Sequence, residues 1–241
     1  MAGPIYFAIG DIHGEARKLA ALHGMILERI ASERRAAKII HLGDYVDRGP
    51  DSRDVIEQIM GLQRTFDRDP AVEVLALMGN HEQLMLDDFA KGAGQVSLTW
   101  AKAGAKETLL SYFREASIDD AGWRRHIPEA HITWMSRLPN LIHAEDRGLA
   151  FVHAGIDPGA FPDCRDDVRL WTRSKMFMET SRWPNREAIE GLTVVHGHTP
   201  VSFEPELLDR RINVDTAACY GGPLTAVVLK DGEAPEFLKA A

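Results

Sequence analysis

Eight polar residues suited to binding metals and handling phosphate fall in five short clusters: GDIHG (10–14), GDYVDRG (43–49), GNHE (79–82), VHAG (152–155) and HGHT (196–199). They are Asp11, His13, Asp44, Asp47, Asn80, His81, His153 and His198. Carboxylate, amide and imidazole ligands without a thiolate suit Mn, Fe or Zn. In extended chain, Asp11 and His13 share a face. The glycine beside each ligand lets the backbone turn tightly and approach an ion or a phosphate. Each cluster alone has a plainer reading. Asp44 and Asp47 could be turn or N-cap acids, Asn80 a helix cap, and Arg48 a surface partner of Asp51. Five clusters in one chain favour a metal site that also grips phosphate.

The surrounding sequence explains how they would be positioned. IYFAIGD (5–11), AKIIHLGD (37–44) and VEVLALMGN (72–80) are each a short apolar run ending in Gly with Asp or Asn, and amphipathic stretches lie between them at 15–34 and 52–66. That alternation predicts βαβαβ with a parallel sheet, whose strand C-termini are where open α/β sheets place ligand groups. After Gly49-Pro50 turns the chain, Asp51 or Ser52 can cap the next helix. Residues 82–138 hold no convincing strand; EQLMLDDFAKG, AKETLLSYFRE and PEAHITWMSRL are expected to be helical, forming a cap or insertion. Strands follow at NLIHAE, GLAFVHAG, LTVVHGH, RINVDT and LTAVVLKDG, predicting a second, mixed or antiparallel sheet. Without a repeat or linker, residues 1–241 are expected to form one domain.

Composition narrows the function. With 45% hydrophobic residues the chain can bury a large core, and a net charge of -8 disfavours a broad basic face for nucleic acid or anionic membrane. Cys164 and Cys219 form no CxxC pattern, so neither a disulfide framework nor a structural zinc site is expected. No leader pattern or apolar run near the roughly 18 residues of a membrane span is present, and the expected location is cytoplasmic.

GDIHG, GDYVDRG, GNHEQ, VHAG and GHTP, extended by LWTR (170–173) and NVDTAACYGGPLTAV (213–227), resemble the metallophosphoesterases over almost the whole chain. The resemblance is specifically to the phosphoprotein phosphatases in their compact bacterial and phage form. It implies an α/β fold, a four-layer αββα sandwich with a two-metal site between the sheets. By the same resemblance Asp11 and His13 bind a first metal, Asp44 bridges, and Asn80, His153 and His198 complete the second. The implied cofactors are two divalent ions, by family Mn2+, with Fe or Zn accepted. Ions about 3.5–4 Å apart can share a water, lower its pKa and aim the hydroxide at phosphorus. His81 is then the proton donor, oriented by Asp47, while Arg48 and Arg173, with Asn80, bind phosphate.

Other residues have competing assignments. Arg173 is otherwise a structural salt-bridge residue, and Tyr220 a turn aromatic or a pocket wall. His196 is a neighbour of the ligand His198 and not itself a ligand; His41 is a core residue, and His23, His126 and His131 are packing or surface residues.

The leading expectation is a Ser/Thr protein phosphatase acting on a phosphoprotein or a small phosphoester. The alternative is a symmetrical dinucleoside tetraphosphatase on the same scaffold; that family typically carries VARG and NHD, so Asp47 and Glu82 count against it. A phosphodiesterase or nuclease is disfavoured by the DRG signature, and a non-catalytic binding module by the complete ligand set.

Overall fold

Strand β1 (Ile5–Ile9) is apolar at every position and fully buried. Its odd residues Ile5, Phe7 and Ile9 enter one core, and its even residues Tyr6 and Ala8 enter another. Because successive side chains on a strand point to opposite faces, such a run requires a layer on each side. The computed structural model, which describes residues 3–92, 94–113 and 119–241, supplies both.

β1 pairs in parallel with β2 (Ala37–His41), which pairs in parallel with β3 (Val72–Ala76). The connections are α1 (Ala16–Glu33) and α2 (Ser52–Phe66), so the expected βαβαβ unit is present. Helix α1 buries Ala16, Leu19, Leu22, His23 and Ile26, a stripe of helical period laid on the first core. Five helical segments follow: α3 (Asn80–Ala90), α4 (Leu98–Ala103), α5 (Ala105–Tyr112), a 3-10 turn (Trp123–His126) and α6 (Glu129–Ser136). The helix expected over AKETLLSYFRE runs to Tyr112, and its last two residues lie outside the described residues.

The second sheet has the order β4-β5-β6-β8-β7, from β4 (Ile142–Ala144), β5 (Leu149–Phe151), β6 (Thr193–His196), β7 (Glu206–Leu208) and β8 (Arg211–Asn213). β5, β6 and β8 are parallel and the two edges antiparallel, so this sheet is mixed. Tyr6, Ile40 and Val227 meet Phe151, Val195 and Ile212 between the sheets. After α7 (Asp166–Trp171), the outer face of the second sheet packs on α8 (Lys175–Met178) and adjoining turns through Phe161, Phe177 and Trp183. The architecture is therefore the expected αββα sandwich of two mixed sheets flanked by helices.

Three details differ from expectation. LTAVVL, read as part of the second sheet, forms β9 (Leu224–Leu229) and returns antiparallel to β1 in the first. Its residues alternate between the two cores as those of β1 do, and a run buried on both faces carries no mark of which sheet it joins. β10 (Glu236–Ala240) and β7, short edge strands, were not anticipated. Asp51 sits at the N-cap of α2 without a capping hydrogen bond, and the Ser52 hydroxyl is engaged by Asp47 N–H instead.

His23 and His41 form a buried pair with Nε2 atoms 2.9 Å apart. His41 Nδ1–H donates to Leu75 O, so His41 Nε2 accepts from His23. Burial lowers both, to about 3 for His23 and about 4 for His41. The unfolded chain, with histidines near 6.5, takes up protons first, so this contribution is full above pH 6.5 and lost as the pH falls. Replacing both with leucine should reduce the stability lost between pH 7.5 and pH 5 by about 4 kcal/mol in urea unfolding. An equal loss in both proteins would exclude the pair as its source.

Candidate active site

The polar clusters converge from both sheets. Asp11 and His13 follow β1, Asp44 to Arg48 join β2 to α2, Asn80 and His81 open α3, His153 follows β5, and His198 follows β6. The expectation that Asp11 and His13 share a face of extended chain does not hold, because the backbone has already turned at His13 (φ 45°). Asp44, Asp47, Arg48 and His198 also have left-handed backbones, with φ of 53°, 72°, 68° and 68°. Non-glycine residues adopt this region at a cost, typically where function requires it.

Asp44 is the shared point. Its carboxylate belongs to two groups whose potential ligand atoms lie within 4.8 Å of one another: His13, Asp44 and His81, and Asp44, His153 and His198. In the second group, Asn80 Oδ1 lies 2.8 Å from His153 Nε2 and 2.9 Å from His198 Nδ1. Asp11, though buried, lies outside both triads, and its oxygens accept the His198 N–H.

Donor geometry fixes several protons. The Arg48 guanidinium can only donate, and it reaches His13 Nε2 at 2.8 Å and His81 Nε2 at 3.0 Å, so both nitrogens carry lone pairs. His13 Nδ1–H donates to Val46 O, and His81 Nδ1–H to Asp47 Oδ2 at 2.7 Å. His153 Nδ1–H donates to Leu42 O, leaving its Nε2 lone pair facing Asn80 Oδ1. Lone pairs facing at that distance repel, and a cation between them turns repulsion into coordination. Burial followed by His153 lowers His198 to about 2, and burial lowers His153 despite Asp44, so both imidazoles are neutral and able to ligate. Burial opposes the Asp44 charge, and positive charge at the His153, His81 and His13 positions, whether imidazolium or cation, holds its carboxyl well below the usual range. Burial, Asp215 and Asp44 push Asp11 well above its ordinary value, and burial lifts Asp215 to about 6. This crowding of acids and neutral imidazoles fits two divalent cations.

Arg48 grips imidazoles and does not pair with Asp51 in this arrangement, and Tyr220 lies beneath its guanidinium, 5.7 Å from the ring centroid. Exposed Arg173 reaches the His198 loop, with Nε 3.3 Å from Thr199 Oγ1. His196 faces elsewhere and accepts from Arg211 at 2.8 Å.

Five residues not foreseen for the site support it. Glu82 is fully buried; its Oε1 accepts Tyr45 and Val46 N–H, and its Oε2 accepts Asp44 and Gly79 N–H. Burial and then the Asp44 charge push its carboxyl up to about 8, while the Val46 and Tyr45 N–H groups pull it down. Asp47 Oδ1 accepts the Thr108 hydroxyl at 2.6 Å, and Trp100 Nε1–H lies 3.0 Å from Oδ2. Gly104, φ 115°, joins α4 to α5 where a Cβ would stand 2.6 Å from Arg48 N. Asp215 faces Asp11 across Gly197. Position next to His81 pointed to Glu82, whereas nothing local linked Trp100 or Thr108 to a loop some 50 residues away.

Buried acids and neutral imidazoles around two cation positions, beside an arginine and a histidine–carboxylate pair, define a metal-dependent hydrolase of the αββα class. The family model described as calcineurin-like phosphoesterase matches residues 6–226, and the chain belongs to that family. It is 28% identical over 236 residues to the asymmetrical bis(5'-nucleosyl)-tetraphosphatase PrpE of Anoxybacillus flavithermus, covering 92% of this chain and 89% of that one. Identity to serine/threonine-protein phosphatase 1 of Salmonella typhimurium is 26% over 228 residues, covering 91% and 89%. A crystal structure titled as a putative diadenosine tetraphosphatase has the same fold at TM-score 0.65 and 22% identity, covering 99% of this chain and 94% of that one.

Thr108→Val should lower kcat about tenfold with KM within about twofold, because Asp47 loses a donor yet still meets His81; an unchanged kcat would show that the helical block does not position the pair. Glu82→Gln would turn an NH2 towards two backbone N–H donors. We expect it to lose about 2–4 kcal/mol in urea unfolding, and wild-type stability would contradict the four-donor arrangement.

Proposed function

We propose that this metallophosphoesterase hydrolyses dinucleoside tetraphosphates, cleaving a phosphoanhydride in the polyphosphate bridge. The observation that carries the reaction type is Arg48 and the Asp47–His81 pair set against the two ligand clusters. The substrate class is supported by the tetraphosphatase relative, which aligns over nine-tenths of both chains. This reverses the order expected from the motifs. Glu82, which counted against a tetraphosphatase, is fully buried on backbone N–H groups and does not face substrate.

In this reading Asp11, His13, Asp44, Asn80, His153 and His198 hold two divalent cations, Mn2+ by family, with Asp44 shared. Bound there, the cations supply Lewis-acid activation of water and offset phosphate charge. Arg48 leaves the two imidazoles and forks onto phosphate oxygens, and Arg173 binds from the His198 side. Freed of Arg48, His81 Nε2 takes a proton and delivers it to the leaving oxygen, with Asp47 holding Nδ1–H throughout. Burial opposes the imidazolium, but Asp44 and Asp47 outweigh it and raise the His81 pKa. Among the described residues no helix is long and apolar enough to cross a membrane, and a cytoplasmic location is part of the same proposal.

A second reading, a Ser/Thr protein phosphatase, is favoured by the VDRG motif with its built Asp47–His81 pair and by the phosphatase relative. A panel of diadenosine tetraphosphate, a phosphothreonine peptide and a chromogenic monoester, run with Mn, Zn and Mg, decides between them. We expect the first to be preferred in kcat/KM, with ADP alone as product for symmetrical cleavage or AMP and ATP for asymmetrical cleavage. Preference for the peptide would restore the protein-phosphatase reading. His81→Asn should cut turnover by about 100- to 10,000-fold with metal content retained; loss of a metal equivalent would instead make His81 a ligand. Asp44→Asn should deplete both ions by elemental analysis, and two ions retained would contradict its shared role.

A further inference from the structure

All five tryptophans and four tyrosines lie among the described residues, and only two of them, Trp171 and Tyr220, are exposed, at 41% and 60%. Both border the site. The Trp171 ring stands 6.2 Å from that of His198 at 82°, and its Nε1–H is held by Gln83 Oε1 at 2.9 Å. Tyr220 lies under Arg48, at the end of the site formed by His13 and His81. Its 3-10 turn (Ala218–Tyr220) is pinned from behind by Lys18 Nζ, which donates to Ala218 O and Gly222 O. Gln83 holds the Trp171 indole and Lys18 holds the backbone of the Tyr220 turn, so each ring is presented at the rim of the site.

We propose that Trp171 and Tyr220 are base-stacking platforms, one at each end of the site, which select a polyphosphate carrying a nucleoside at both termini. The proposal rests on the nucleotide reading above. A phosphate chain held by Arg48 and Arg173 directs one terminus towards Tyr220 and the other towards Trp171. Every nucleobase has a π face, so stacking tightens binding with little preference among bases. A phosphorylated side chain, with a single group to place, leaves one platform unused.

The test compares inhibition by methylene-bridged diadenosine tetraphosphate with inhibition by methylene-bridged inorganic tripolyphosphate, using a chromogenic monoester as reporter. Because the ratio of the two inhibition constants is taken within each protein, a general loss of activity cancels. The wild-type ratio should favour the base-bearing compound by tenfold or more, and Trp171→Ala and Tyr220→Ala should each lower it roughly tenfold. A wild-type ratio near one, or a ratio unchanged in both variants, overturns the platforms. Turnover of unmodified diadenosine tetraphosphate is measured in parallel. Slow turnover with a ratio that falls in the variants keeps the platforms and removes the tetraphosphatase reading; fast turnover with an unchanged ratio does the reverse.

Discussion

Keeping the Asp44 carboxylate charged at 1% exposure is the constraint around which the site is organised. Moving such a group out of water costs several kcal/mol unless charge and hydrogen bonds replace the lost solvation. Here His81 N–H, at the first turn of α3, donates to Asp44 Oδ1, while the lone-pair nitrogens of His13 and His153, 3.3 and 3.4 Å away, bring no proton and leave the remaining compensation to a cation. A helix N-terminus favours an anion, so α3 must begin where β2 ends. Gly79 permits this, since a Cβ there would stand 2.2 Å from Asp44 N. His153 comes from the other sheet, and the face-to-face packing of the two sheets is therefore part of the same requirement.

Left-handed backbone at His13, Asp44, Asp47, Arg48 and His198 costs on the order of 1–3 kcal/mol at each position and persists only where the surroundings over-determine it. Glu82 does this for Asp44 to Val46, binding three successive N–H groups to one buried carboxylate. Thr108 does it for Asp47, accepting its N–H while donating to its side chain. The helical block is thus a wall of the site that sets the Asp47–His81 pair, as well as a cover over the first sheet.

This division explains what could be read from the chain. Strand-end clusters are visible because a ligand must be Asp, Asn or His and a close approach must be Gly, so Asp11, Asp44, Asn80 and His198 stood out by type and spacing. Two-sided burial made β1 and β2 recognisable as apolar runs. Pairing partners leave no such trace: β9 alternates between the cores as β1 does, yet its place beside β1 is settled by packing across the whole chain. Trp100 and Thr108 looked like ordinary helix residues because their role lies in hydrogen bonds to Asp47, 53 and 61 positions away. Glu82 was noticed for the wrong reason, as a mark against a tetraphosphatase, whereas its carboxylate accepts only backbone N–H groups.

The Asp47–His81 pair bears on substrate class less than its conspicuous motif suggests. A general acid matters most when the leaving oxygen is strongly basic, as an alkoxide is, and less when a phosphate departs. The pair therefore serves a phosphomonoester and a phosphoanhydride alike, differing in how much of the rate depends on it. In the proposed reading the metal ligands and Arg48 contact the phosphate, which both substrate classes share. Discrimination must then come from groups beyond the phosphate, at the open rim, where two aromatic rings stand exposed beside His198 and Arg48.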